Sequence, residues 1–115
     1  MKKHSRLFAL LTAAVLTFSL FATGCDSSGG TVKVAIVQPM SHTSLDQIRD
    51  TIISKLEAPG NDKIEIVTEN ANNDTSALSA ILQNLRSEGV DIVVPIATST
   101  AQSAKAVFEG EDTPI

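Results

Sequence analysis

Residues 91–102 change in character along their length. A nearly continuous apolar run leads into Thr98, Ser99 and Thr100, and an alanine-rich helical pattern follows. An apolar run without polar alternation predicts a strand that is covered on both faces, as in a parallel sheet. In open α/β sheets, ligands bind at the carboxyl ends of the strands, where each strand leads into a helix. We therefore expect these three hydroxyl residues to lie at a ligand-binding rim.

Two similar strand–helix units precede this one. Residues 31–37 are almost uniformly apolar and predict a central strand, whereas residues 63–67 alternate polar and apolar and predict a strand at a sheet edge. Apolar residues recur at helical spacing after each strand. These patterns predict an α/β fold with a three-layer open parallel sheet in the strand order 2-1-3, as in doubly wound folds. Residues 113–115 are typical of the start of a fourth strand.

The starts of the predicted helices carry capping patterns. Ser44 with Gln47 and Ser99 with Gln102 match the capping box, in which a hydroxyl accepts a hydrogen bond from a first-turn amide and the glutamine reaches back. Asp74 precedes the second helix and is expected to be its N-cap. The sequence thus predicts a side-chain cap at all three helix starts.

The N-terminal segment has the layout of a secretory signal. Basic residues come first, an uncharged and mainly apolar run covers residues 7–21, and small residues lead to Cys25. This order resembles a bacterial lipobox, so we expect residues 1–24 to be a lipoprotein signal peptide and Cys25 to carry lipid, including palmitate. Residues 25–30 would then be the lipidated cysteine and a flexible tether, at the extracytoplasmic face of the cell membrane.

An uncleaved membrane anchor is the alternative interpretation of the apolar run. Its 15 residues would span only about 22 Å as a helix, short of the roughly 30 Å hydrocarbon core of a bilayer. Cys25 is the only cysteine of the chain, so it has no partner for an intrachain disulfide. Lipidation is therefore the favoured role for Cys25.

The chain after the signal is acidic. From Cys25 onward it carries six basic and 13 acidic residues, a net charge of −7. This part of the chain lacks the basic patch that nucleic-acid binding requires, so we expect no nucleic-acid partner. Phe108 is its only Phe, Trp or Tyr residue. It therefore offers no aromatic platform on which bases or sugars could stack.

Motifs for catalysis and metal binding are missing as well. No glycine-rich phosphate loop follows the first strand, His42 is the only histidine after the signal, and no thiol other than Cys25 is present. The hydroxyls of Ser41 and residues 98–100 have no convincing general base. Asp46 and Asp74 are placed to flank helix starts rather than to form an acid–base pair. We therefore expect no enzyme activity, no metal and no cofactor.

Binding is the chemistry that remains. The loops after the three strands open on one rim, where the candidate ligand-binding residues are Gln38, Ser41, Asn70, Asp74, Thr98, Ser99 and Thr100, with His42 beside them. The N-terminus of the third helix adds N–H groups at which a carboxylate could bind. A purely structural alternative is open: the hydroxyls cap their helix, and residues 70–74 form an ordinary turn.

The three junctions resemble those of substrate-binding lipoproteins of bacterial ABC importers. The resemblance is to a group with a periplasmic-binding-protein-like fold, some of whose members are associated with tryptophan or other aromatic amino acids. The matching residues are Gln38, His42, Leu45, Asp46, Asn70, Ala71, Asp74, Ile96, Ala97, Thr98, Ala101 and Gln102. The residues that depart from the family pattern are Thr43, Asn73, Ser99 and Thr100.

This resemblance implies a lipid-anchored receptor that binds a small ligand, favouring an aromatic amino acid, and delivers it to an ABC permease with its ATPase subunits. Such proteins close two lobes around the ligand, and residues 31–115 are expected to be the N-terminal part of a truncated first lobe. Two other classes stay open: the ligand-sensing lobe of a signalling receptor, and an extracytoplasmic enzyme of flavodoxin-like fold. A second βα lobe after residue 115 would indicate transport, and a transmembrane helix with a cytoplasmic domain would indicate signalling.

Overall fold

The computed structural model describes residues 30–115. The predicted signal peptide, Cys25 and most of the tether lie outside the described residues. The strands are β1 (Val32–Gln38), β2 (Ile64–Asn70) and β3 (Ile92–Pro95), and the helices are α1 (Thr43–Leu56), α2 (Thr75–Ser87) and α3 (Thr98–Val107). None of these helices has the length and apolar character that crossing a membrane requires.

β1 lies at the centre of a three-stranded parallel sheet with the order β2-β1-β3. Val34 pairs with Ile66 on one side and with Ile92 on the other. β1 takes this central position because its residues from Val34 onward can be buried on both faces, whereas β2 keeps polar side chains exposed at the edge. The predicted α/β class and strand order are confirmed.

The main hydrophobic cluster lies on one face of the sheet. Ala35 and Val37 of β1 contribute to it, together with Ala71, Leu78, Leu82, Leu85, Val90, Val93, Ala104 and Phe108. α1 has no buried residue, and its Ile48 is 47% exposed. Right-handed crossovers place α1 on the face opposite to α2 and α3. Within residues 30–115, the α2–α3 face is therefore the more completely packed one.

Two of the three predicted helix caps differ in the structure. α1 begins at Thr43, and its N-cap is His42, whose Nδ1 accepts a hydrogen bond from the Ser44 amide at 3.3 Å. The N-cap of α3 is Ala97, which makes no side-chain cap bond. The capping boxes predicted at Ser44 and Ser99 are wrong, because both serines already lie inside the first helical turn.

The C-terminal residues lie beside β3. The Val93 amide points away from β1 and donates a hydrogen bond to the Pro114 carbonyl at 3.0 Å. No strand is assigned at residues 113–115. The bond nevertheless places this segment where the predicted fourth strand would add to the sheet.

Candidate ligand-binding site

The three strand–helix junctions are joined by backbone hydrogen bonds at the carboxyl end of the sheet. The Gln38 carbonyl accepts a bond from the Ala71 amide at 3.1 Å. The Pro39 carbonyl accepts one from the Asn73 amide at 2.7 Å. The Ile96 amide of the third junction donates to a β1 carbonyl at 2.8 Å. The predicted common rim is therefore present, and the backbone fixes the relative positions of its parts.

A depression of about 230 Å³ lies between the junctions. Asp74 and Ser99, from different strand–helix units, both line it. The other lining residues are Pro39, Ala71, Asn73, Thr75, Leu78 and Ser103. Its wall combines a carboxylate and hydroxyls with apolar surface, which is the usual composition of a small-molecule site.

A larger hollow of about 630 Å³ lies between the C-terminal halves of α2 and α3. Arg86 lines it, donates a hydrogen bond to the Val107 carbonyl at 3.1 Å and forms an ion pair with Glu111. Helices run antiparallel to the strands in this fold. The hollow therefore lies at the amino ends of the strands, whereas ligands of α/β sheets bind at the carboxyl ends. We therefore assign the candidate site to the smaller depression at the rim.

Asp74 connects the start of α2 to the candidate site. Its Oδ1 accepts hydrogen bonds from the amides of Ser76 and Ala77 at 2.7 and 3.1 Å, so the predicted N-cap is confirmed. Its Oδ2 makes no hydrogen bond to any residue in the described part of the chain, and the residue is exposed. One carboxylate oxygen is thus committed to the helix, and the other is open to a cationic group.

Ser41 and Asn70 lie in contact on the rim. Asn70 Nδ2 donates a hydrogen bond to Ser41 Oγ at 2.8 Å, and Asn70 Oδ1 accepts one from the Asn72 amide at 2.8 Å. The structure thus brings together two predicted residues that are 29 positions apart. Because Ser41 Oγ acts as an acceptor here, its own proton stays available for another acceptor, such as a carboxylate.

Ala97 joins β3 to α3 in a conformation that alanine rarely adopts, with φ 77° and ψ 153°. This region of backbone space is essentially restricted to glycine and costs on the order of 1–3 kcal/mol. The turn leaves Thr98 and Ser99 exposed in the first turn of α3, without a side-chain cap on its amides. The first four N–H groups of a helix have no intrahelical partner, so this helix end offers donors and a positive dipole to an anion.

Two of the seven predicted residues have buried side chains. Thr100 is 0% exposed and lies on the buried stripe of α3 with Ala104 and Phe108, which faces the sheet. Its Oγ1 has no hydrogen-bond partner among residues 30–115. Gln38 is 1% exposed. Neither side chain is open to solvent in this structure, and ligand contact by all seven residues stays a prediction.

Gln38 is buried because it forms a network with α1. Its Nε2 donates to the Met40 carbonyl at 3.1 Å and to Asp46 Oδ1 at 3.0 Å. Arg49 Nη1 donates to Gln38 Oε1 at 3.3 Å and to Asp46 Oδ1 at 3.0 Å. The hydrogen bond to Asp50 is the largest of the effects that raise the pKa of Arg49, so the guanidinium keeps its charge.

Sequence reasoning did not identify Arg49 or the strained Ala97 as parts of the site. The spacing of Asp46 and Arg49 is that of a helical ion pair, which was a signal for their mutual contact. That spacing gave no indication that Gln38, at the end of β1, would form hydrogen bonds with both residues. Alanine at a strand–helix junction carries no signal for a positive φ, because glycine is the residue expected there.

The candidate site has no metal-ligand set. In the part of the chain that the structure describes, no three His, Cys, Asp or Glu side chains are grouped so that they could hold a metal ion. His42 instead caps α1 through Nδ1. The available chemistry is hydrogen bonding, one carboxylate and a helix N-terminus.

Residues 33–115 match the family described as ABC transporter substrate binding protein. The chain is 30% identical over 121 residues to the tyrosine-binding protein of Clostridioides difficile, across 90% of this chain and 35% of that protein. It is 28% identical over 95 residues to an uncharacterized protein of Rickettsia prowazekii, across 72% of this chain and 30% of that protein. The chain therefore spans about a third of the length of these relatives.

Solved structures of substrate-binding proteins are similar to this fold. The ligand-free, open structure of a substrate-binding protein with adhesive properties from Clostridium difficile has a TM-score of 0.63 and 29% identity, over 69% of this chain and 28% of that one. An ABC domain from Streptococcus pneumoniae in complex with L-Trp has a TM-score of 0.64 and 32% identity, over 74% of this chain and 29% of that one. The predicted periplasmic-binding-protein-like fold is confirmed. Since the family match also covers most of its residues, this chain belongs to the ABC transporter substrate-binding protein family.

Proposed function

We propose that this chain forms part of the first lobe of an extracytoplasmic solute-binding lipoprotein that binds an amino acid. The complete protein would deliver that ligand to an ABC permease and its ATPase subunits. Aromatic amino acids are the favoured ligands, since one relative is named a tyrosine-binding protein and one similar structure contains L-Trp. Both are at least 30% identical to this chain in the aligned regions.

The depression at the rim supports the proposal because its wall includes one group that favours a cation and another that favours an anion. Asp74 offers a carboxylate oxygen for an ammonium group, and the uncapped start of α3 at Ser99 offers N–H donors for a carboxylate. A zwitterionic amino acid carries both groups on one carbon. The helix end alone favours an anion by roughly 0.3–2 kcal/mol.

The aromatic ring of such a ligand would have to be held elsewhere. Phe108 is the only Phe, Trp or Tyr among residues 30–115, and it is buried in the core. We propose that the ring is recognised by a part of the complete protein that corresponds to the regions of the relatives outside the alignment with this chain. Ligand binding would then be completed by closure of a second lobe over the rim.

Lipid on Cys25 would hold the protein at the outer face of the cell membrane. Stable anchoring takes about two acyl chains, at roughly 0.8 kcal/mol per buried CH₂. In this role the protein binds and releases its ligand without chemical change, so it needs neither catalytic residues nor a cofactor.

Calorimetric titration of the complete protein tests the proposed ligand class. L-Trp, L-Tyr and L-Phe are compared with L-Leu and glucose, and at least one aromatic amino acid is expected to bind most tightly. Binding of glucose alone, or of none of the five compounds, would refute the proposal.

The substitution Asp74→Asn tests the role of the carboxylate. Asparagine keeps the Oδ1 acceptor that caps α2 but removes the charge, so the affinity for an amino acid should fall about tenfold, or ~1.4 kcal/mol, while stability is nearly retained. An analogue without the amino group, such as indole-3-propionate, should bind Asp74→Asn no more weakly than the wild type, because it has no ammonium group to lose a partner. Asp62→Asn, an exposed acid in the turn before β2, is the matched control and should bind like the wild type.

A further inference from the structure

The loop of residues 39–42 is held at the rim from two sides. On the β2 side, Asn70 donates to Ser41 Oγ at 2.8 Å and the Asn73 amide donates to the Pro39 carbonyl at 2.7 Å. On the other side, Gln38 Nε2 at the end of β1 donates to the Met40 carbonyl at 3.1 Å. The second attachment comes from a side chain that is 1% exposed, whereas the Asn70–Ser41 bond is open to solvent.

The buried amide of Gln38 has only one way to satisfy its polar atoms. Its Nε2 bonds the Met40 carbonyl and Asp46, and its Oε1 accepts from Arg49. Burying an amide is unfavourable unless its groups are hydrogen-bonded, so the three partners define the orientation of this side chain. An apolar residue would fill the same space but would leave the Met40 carbonyl without its donor.

Arg49 links this orientation to α1. Its Nη1 contacts both Gln38 Oε1 and Asp46 Oδ1, which closes a triangle of hydrogen bonds. Its other nitrogens bond Asp50 at 2.8 and 2.9 Å, which fixes the plane of the guanidinium. α1 contributes no buried residue to the core, so this triangle is a specific polar attachment between α1 and the end of β1.

We propose that Gln38, Asp46 and Arg49 are positioning residues of the ligand-binding rim. They hold residues 39–42 so that Ser41 and Pro39 have the conformation that binds ligand, and they do so without touching the ligand. The inference rests on the proposed function, since it concerns affinity for the same amino acid.

The test measures ligand affinity and thermal stability in the complete protein for Gln38→Leu and Arg49→Met. Each substitution keeps the volume or the aliphatic stem and removes the polar partners. Each is expected to weaken binding of the aromatic amino acid about tenfold. The double variant should weaken it by about the same factor rather than by their product, because both residues act in one network. Arg49→Lys, which retains a donor for Asp46, should recover most of the affinity.

A general loss of stability is separated from positioning by two comparisons. Arg86→Met removes another partly exposed arginine ion pair, at the end of the sheet opposite to the rim, and should leave affinity unchanged. In a Ser41→Ala background, Gln38→Leu should weaken binding by less than about threefold, because its effect passes through the loop that carries Ser41.

Each outcome supports or overturns the inference. Wild-type affinity in both Gln38→Leu and Arg49→Met would overturn it and leave the proposed function intact. An equal loss of affinity in Arg86→Met would overturn it, because the network would then act only through general stability. An undiminished effect of Gln38→Leu in the Ser41→Ala background would lead to the same conclusion. A wild-type protein that binds no amino acid would overturn the proposed function, and the inference would fall with it.

Discussion

Replacement of Ala97 by glycine should stabilise the protein. Ala97 connects β3 to α3 with φ 77° and ψ 153°, a conformation in which the Cβ atom is unfavourable and which costs on the order of 1–3 kcal/mol for a residue other than glycine. Glycine removes this strain but has more conformational freedom in the unfolded chain, which offsets about 0.4–1 kcal/mol. The net expectation for Ala97→Gly is a gain of about 1 kcal/mol in the free energy of unfolding.

The assay is urea unfolding followed by circular dichroism, with thermal melts in parallel. In a complete lobe of about 150–250 residues, a gain of about 1 kcal/mol corresponds to roughly 2–4 °C in the melting temperature. Ala106→Gly is the matched control, since Ala106 is exposed inside the same helix. There glycine has no strain to relieve and should destabilise the protein by about 0.5–1 kcal/mol.

The two substitutions should therefore change stability in opposite directions. A loss of stability in Ala97→Gly similar to that in Ala106→Gly would show that Ala97 is not strained and would refute the reasoning. A third variant, Ala97→Val, sharpens the comparison. It should be less stable than the wild type, because a β-branched side chain is still less compatible with a positive φ.

Two further predictions concern the chain's termini and caps. Cys25→Ser should shift the protein from the membrane fraction to the soluble fraction, because the acyl chains lose their attachment site; a protein that stays membrane-bound would contradict the lipobox interpretation. His42→Asp should raise the free energy of unfolding by about 0.5–1 kcal/mol, since aspartate is a stronger N-cap and favours the dipole of α1. His42→Ala should lower it by about 0.5 kcal/mol, because the bond to the Ser44 amide is lost. Equal melting temperatures for the two His42 variants would argue against a capping role.

Much of the fold was predictable from local patterns. The mainly apolar β1, the alternating β2 and the helical spacing between them indicated a parallel sheet in the order 2-1-3, because burial on one or two faces is expressed directly in periodicity. Asp74 was predictable as an N-cap for a related reason. Its hydrogen bonds reach only two and three residues along the chain, to Ser76 and Ala77.

The binding rim was predictable as a place but not as a set of exposed side chains. The sequence placed Ser41, Asn70, Asp74, Thr98 and Ser99 at strand–helix junctions, and the structure places them at one edge of the sheet. The sequence could not distinguish these residues from Gln38 and Thr100, which occupy the same junctions but are buried. At these junctions, exposure depends on whether the side chain points toward a neighbouring helix or strand, and not on the position of the residue in a loop or turn.

The amino-acid sequence by itself determined the alternation of strands and helices, the central position of β1 and the common rim, because these follow from hydrophobic periodicity and from the chemistry of near neighbours. Only the tertiary structure decided that Gln38 bonds Arg49 across 11 positions and Ser41 bonds Asn70 across 29. It also decided that Ala97 adopts a positive φ. Contacts between distant residues, and backbone angles imposed by packing, arise only when the elements are assembled.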